Sequence, residues 1–160
     1  MEMYADPITG SEGGDATTPL GALAEFYRAF NNRDLALMRH HWHAQECVLD
    51  NPLGGIRRGW AELEPLYARL FTGAAQVQVE FYDYTLHETE TLFAAAGRER
   101  GYYQLGSERI ELMIRTSRIF RKVVGRWRQI HHHGSIEDAA LLARYQAAVL
   151  GVGNGQNNDD

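Results

Sequence analysis

Gly125-Arg126-Trp127-Arg128-Gln129-Ile130-His131-His132-His133-Gly134-Ser135 is the stretch whose reading decides the fold. It opens at a glycine, runs without a breaker and closes at Gly-Ser, as a strand between two turns does. Strand side chains alternate between faces. Regular alternation therefore puts Trp127, Gln129, His131 and His133 on one face, and Arg128, Ile130 and His132 on the other. Three consecutive histidines cannot share a face.

Working outward, Glu108 to Val124 has the same extended character and would pair with this strand through a turn at Val124-Gly125. Thr91 to Gln104 and Gln76 to His87 precede it, separated by Gly106-Ser107 and Glu88-Thr89-Glu90. Four strands in sequence predict an antiparallel meander. Upstream, Thr18-Pro19 can cap and start a helix, and Leu20, Leu23, Ala24, Tyr27 and Phe30 recur at helical spacing. Asn31-Asn32 ends it, and Asp34 caps a second short helix reaching about Trp42. Glu46 to Asp50 reads as a strand stopped by Asn51-Pro52, and Leu53 to Gly59 as a turn-rich link with room for a two- or three-residue strand. Trp60 to Phe71 is a third helix containing Pro65, and Ile136 to Leu150 a fourth. The segments 1–18 and 151–160 are polar and Gly-rich and are expected to be disordered tails around one domain spanning 19–150.

Composition narrows the partners. The 160 residues are 44% hydrophobic, enough for one domain with a real core. The net charge is −5 and Lys122 is the single lysine, which argues against nucleic acid. No apolar run approaches a membrane span. Cys47 is alone, so no intrachain disulfide forms, and a cytoplasmic setting is the default. His40 and His43 at the end of the second helix, with His131 and His133, raise a metal site. The spacing to a third ligand is unconstrained, and helix-terminal histidines suit the negative end of the helix dipole. No metal and no cofactor are expected.

Arg118-Ile119-Phe120, the turn at Val124-Gly125, and Trp127-x-x-Ile130-His131-x-His133-x-Ser135 together resemble the closing hairpin of the nuclear-transport-factor-2-like superfamily. The SnoaL-like proteins and the association domain of calcium/calmodulin-dependent kinases are the branches it is most similar to. The resemblance covers roughly Pro19 to Ser135 and implies an α+β cone. Three helices would pack on a strongly curved, mostly antiparallel sheet in the order α-α-β-α-β-β-β-β, with a C-terminal helix added.

The resemblance also implies a site. Tyr27 and Trp42 would face a pocket under the first two helices, with Trp60 and Tyr67 lining its mouth and wall. Relatives carry a cavity carboxylate just before Pro52, where this chain has Asn51, with Asp50 one place earlier. Tyr82 matches a pocket histidine. Arg118 matches an inward arginine, while two further pocket arginines match Gly97 and Gly134. By the same alignment Arg128, Ile130 and His132 point inward. Val77, Val79, Phe81, Trp127, His131 and His133 would then form an open sheet face that supports a homodimer.

Two functions follow as expectations. One is an enzyme for a small apolar or aromatic carbonyl compound, working without a cofactor as an isomerase, cyclase, dehydratase or hydrolase. Asp50 or His132 would be its base, and Tyr82, Tyr67 or Arg118 would hold an oxyanion. The other is a non-catalytic ligand-binding or assembly domain. In both, the ligand is neutral or singly anionic, and Arg118 finds its partner in Asp50 or in a ligand acid group.

Overall fold

In the computed structural model, which describes residues 1–151, three of the four helices start at side chains that accept from their first backbone N–H groups. Thr18 caps α1 (Pro19–Asn31), Asp34 caps α2 (Leu35–His41), and Asp138 will do the same for the last helix. The third, α3 (Trp60–Thr72), begins instead at Gly59, whose φ of +74° only glycine takes without strain. Pro65 lies inside α3 without ending it. The last helix, α4, spans Ala139–Leu150.

The strands are β1 (Met3–Tyr4), β2 (Val48–Asp50), β3 (Ile56–Arg58), β4 (Gln76–Glu88), β5 (Leu92–Leu105), β6 (Glu108–Val123) and β7 (Arg126–Ser135). They form one seven-stranded sheet in the order β1-β4-β5-β6-β7-β2-β3, antiparallel throughout except where β2 runs parallel to β7. This is the expected α+β cone with its four-stranded meander, extended by β1 at one edge and by β2 and β3 at the other.

Alternation along β6 fixes the two faces. Ile110, Leu112, Ile114, Thr116, Arg118 and Phe120 are buried, and the residues between them are not. Register carries this inner face to Phe93, Ala95, Glu99 and Tyr103 of β5, and then to Val77, Val79 and Phe81 of β4. Phe81 stacks against Tyr27 of α1, with ring centroids 5.9 Å apart, so these residues point at the helices. This corrects the expected open face: Val77, Val79, Phe81 and Trp127 are core residues. The homodimer expectation rests on those residues. The outer face instead carries Tyr82 beneath Arg100, Tyr102 beneath Arg109, and Arg98 and Arg115 paired with Glu137.

Tyr82 is therefore not a pocket residue either. A bulge at Asp83, with φ +49°, inserts one residue between Tyr82 and Thr85 and brings Tyr84 inward beside Phe81, 4.9 Å between centroids. Gly97 sits opposite that bulge; a Cβ there would lie 2.5 Å from the Tyr84 Cβ, so the close approach requires glycine.

One terminal expectation also changes. Residues 1–18 are not a loose tail: β1 pairs with β4, Ile8 exchanges backbone hydrogen bonds with Phe81, and Ala16 accepts from the Trp127 N–H. Arg28 holds this segment against α1 by donating to the carbonyls of Gly10, Glu12 and Gly14. The C-terminal helix does not cover the outer face. Tyr145 of α4 packs edge-on against inward Tyr103, and Gln146 donates to the Leu53 carbonyl at 3.2 Å, so α4 lies across the wide end of the cone. The expected tail at 151–160 falls, beyond Gly151, outside the described residues. No helix is long and apolar enough to cross a membrane.

Ile8→Ala tests the N-terminal segment. Ile8 is 5% exposed, and truncating a buried isoleucine costs about 2–4 kcal/mol. Urea denaturation should show that loss, whereas a residue in a loose tail would change stability by less than about 0.5 kcal/mol.

Candidate functional site in the cone interior

The quoted stretch becomes β7, but its alternation is broken once. Phe120 pairs with Gln129 and Ile119 with His131, leaving Ile130 as an extra residue. This bulge moves the second half of the strand by one position. Trp127 and Gln129 point inward before it, and His132 and Gly134 point inward after it. The expectation that Arg128 and Ile130 face the interior is overturned, while the expectation for His132 holds.

Arg118 is fully buried, and its partner is neither Asp50 nor an open position. One guanidinium nitrogen donates to Glu99 Oε1 at 2.7 Å and another to Gln129 Oε1 at 2.9 Å. Its flat face lies 3.6 Å over the Phe26 ring, a cation–π contact. The Tyr27 hydroxyl donates to the same Glu99 oxygen at 2.6 Å. From Gln129 the polar chain continues to His41 Nε2 at 3.3 Å, from His41 Nδ1 to Glu25 at 3.4 Å, and from Glu25 to Arg126 at the rim. Burial would raise the Glu25 carboxyl, but His41 and Arg126 outweigh it and hold the group below its usual range. Burial pushes the Tyr27 and Tyr67 phenols well up, so both stay protonated.

Next to this chain lies a patch of four residues on two strands. Arg118 is directly opposite His132, and Thr116 directly opposite Gly134. His132 is 8% exposed, and neither ring nitrogen has a hydrogen-bond partner among the described residues. The same is true of Thr116 Oγ1 and Arg118 Nε. Gly134 keeps this corner open: a Cβ there would sit 3.1 Å from Pro52 and 3.7 Å from His132 Nε2. Buried polar groups are nearly always hydrogen-bonded, and leaving one unmade costs roughly 1–3 kcal/mol. Four such atoms, counted among the described residues, lie together in one patch.

The other predicted residues divide cleanly. Trp42, Trp60 and Tyr67 are buried on the inner side, with Trp60 stacked on Tyr67 at 6.2 Å and its indole N–H without a partner among the described residues. Tyr27 is inside as well, spent on Glu99. Asp50 is outside. The parallel pairing of β2 with β7 puts Leu49 beside His132, so Asp50 faces the outer side. There it lies between His131 and His133, at 3.5 and 3.4 Å. Among the described residues, no three His, Cys, Asp or Glu side chains are placed to hold a metal ion. Asn51 caps its own turn by accepting from the Leu53 N–H at 2.8 Å, and does not reach the interior. Glu99 went unread in the sequence, although it shares parity with Phe93, Ala95 and Tyr103. Gln129 was assigned to the outer face because Ile130 carries no sign of a bulge.

Arg118→Ala should destabilise the protein by about 3–5 kcal/mol in urea, since it strands the Glu99 carboxylate in the interior. A variant melting near the wild type would mean that Glu99 finds water on its own. A second test uses pH. Burial first, then Arg118 and the neighbouring histidines, holds His132 well below 6.5. The unfolded chain then binds the extra proton, so stability is full above about pH 6.5 and falls as pH drops towards the folded value. One such group contributes at most about 1.4 kcal/mol per pH unit. His132→Leu should flatten this fall between pH 6.5 and 5; an unchanged slope would assign it to other groups.

Comparison with known proteins agrees with this architecture. A family model for the SnoaL-like domain matches residues 20–139. No curated protein matches the sequence. Among solved structures, a candidate dehydratase of the NTF2-like family from Streptomyces avermitilis is 19% identical, with a TM-score of 0.67, covering 74% of this chain and 92% of its own. A candidate calcium/calmodulin-dependent protein kinase type II association domain from Thiobacillus denitrificans is 22% identical, with a TM-score of 0.61, covering 76% and 96%. An NTF2-like protein of unknown function from Pseudomonas putida is 18% identical, with a TM-score of 0.60, covering 71% and 80%. At such identities the structures speak for the fold alone. The family model spans most of the chain, and the protein belongs to the SnoaL-like domain family.

Proposed function

We propose that this domain binds a small, flat, uncharged molecule at the wide end of the cone, against His132, Thr116 and Gly134. The observation that carries the reading is the patch of unpartnered polar atoms on β6 and β7. Arg118 does not call for an anion, because Glu99 already neutralises it. A ligand carboxylate would bring a second negative charge beside Glu99, so the neutral form is preferred over the singly anionic one. Aromatic side chains at Phe26, Trp60 and Tyr67 favour a flat apolar body with one or two acceptor or donor atoms.

A second reading has one specific support. His132 is neutral and has no hydrogen-bond partner among the described residues, which suits a general base. It would take a proton from a carbon next to a carbonyl and return that proton either to another carbon of the substrate, giving an isomerisation, or to the hydroxyl on the adjacent carbon, whose C–O bond breaks to release water and leave a double bond. Asp50 cannot share this work from the outer face.

Thermal melts should distinguish ligand charge. A neutral aromatic ketone at saturating concentration should raise Tm through binding to the folded state, and its carboxylate analogue should not. Equal shifts for both, or a shift retained in Trp60→Ala and His132→Leu, would defeat the reading. Deuterium exchange at the ketone's α-carbon separates the two versions: exchange abolished by His132→Gln shows proton transfer, and binding without exchange shows a binding domain.

A further inference from the structure

A separate depression of about 450 Å³ opens where the end of α2 meets β7, lined by Arg39, His40, Trp42, His43, Val123 and Arg128 among others. Among the described residues no carboxylate lines it, although the chain as a whole carries five net negative charges. We propose that this depression is an oxyanion site that takes the phosphate group of a small phosphorylated molecule.

The cations here are unspent. Among the described residues no carboxylate pairs with Arg128, which lies beside Arg126 on the same strand. Arg39 reaches Glu64 of α3 only at 4.0 Å, with both side chains well exposed, a contact worth little. His43 Nδ1 accepts from the backbone N–H groups of Gln45 and Glu46 at 3.4 and 3.2 Å. That fixes its tautomer and leaves Nε2–H as a donor. The nearby acids are engaged elsewhere: Glu25 of α1 with His41 and Arg126, and Glu46 with Arg121.

A second depression, of about 820 Å³, makes the contrast. Its arginines are all satisfied: Arg28 by backbone carbonyls, Arg100 by Glu80 and Arg109 by Glu111. The smaller site alone combines two guanidiniums, whose planar forks match oxyanion geometry, with imidazole donors. Two full positive charges and a rim of histidines balance a dianion better than a single carboxylate.

His40 supplies the linkage. Burial, then Arg128 and Arg126, lower its proton affinity, and Glu25 opposes them weakly. A bound dianion reverses the repulsion from the arginines, so binding takes up a proton and tightens as pH falls.

Isothermal titration with inorganic phosphate at pH 7.5 and constant ionic strength tests the site. Saturable millimolar or tighter binding is expected, at least tenfold weaker in Arg128→Ala, intermediate in Arg128→Lys, and at least threefold weaker in His43→Ala. Sulfate, dianionic throughout, should bind at least threefold more tightly at pH 6 than at pH 8. Acetate should bind at least tenfold more weakly than phosphate. Circular dichroism of each variant checks that the fold persists. Unsaturable phosphate binding, an Arg128→Ala variant of wild-type affinity, or acetate equal to phosphate overturns the assignment.

Discussion

A guanidinium in the middle of a protein has to be answered by the groups around it, and Arg118 decides much of what surrounds it here. Glu99 and Gln129 take its N–H groups, and the rings of Phe26 and Tyr27 take its faces at 3.6 and 5.1 Å. Those contacts come from β5, β7 and α1, so one side chain ties two neighbouring strands to the helix above them. Tyr27 then bonds Glu99, and His41 of α2 reaches Gln129. Against an apolar core of the same volume, a buried ion pair contributes little net stability. What this one supplies is position: α1 and α2 can satisfy the chain in one register only.

The same pairing shapes the rest of the interior. With Glu99 beside it, Arg118 adds no net charge, yet its field still falls on His132 across the strand pair. Burial first, and that field second, keep His132 neutral, and neither nitrogen has a partner among the described residues. The helices are fixed by one half of the polar interior and the unpartnered patch lies in the other half. A site whose walls are held by a satisfied network can leave its own polar atoms open without letting the fold relax around them.

Most of the fold was legible because it depends on local signals. Thr18-Pro19 and Asp34 mark helix starts, and β6 alternates over its whole length. Arg118 was placed inside by the resemblance, which matches it to an inward arginine, with Thr116 and Phe120 on the same face. What failed was phase. One extra residue at Asp83 and another at Ile130 exchange the two faces of their strands, and neither residue type announces a bulge. Trp127 was expected outside because the phase of His132 was carried back through Ile130, whereas Tyr82 was placed inside by its match to a pocket histidine, which put Val77, Val79 and Phe81 outside. Asp50 failed for a different reason: its face depends on pairing with β7, which lies eighty residues away in sequence. Ile8 and Ala16 are single apolar residues in a polar stretch, with no periodicity to reveal burial. Their partners, Phe81 and Trp127, are equally remote.

The Ile130 bulge explains how β7 carries two chemistries that do not tolerate each other. Before it, Arg126 and Arg128 face outward while Trp127 and Gln129 face the core. Strict alternation onward from Gln129 would turn His131 and His133 inward and His132 out. Two histidines would then lie in the interior beside Arg118, and Gly134 would leave the corner next to Thr116. The inserted residue instead delivers a single imidazole and a glycine to the inner face, and the histidine pair to the outer face next to Asp50. A strand without the bulge could present the basic outer end or the sparse polar patch in their observed places, but not both. The extra residue is thus the feature that separates the proposed phosphate site from the interior site while keeping them on one strand.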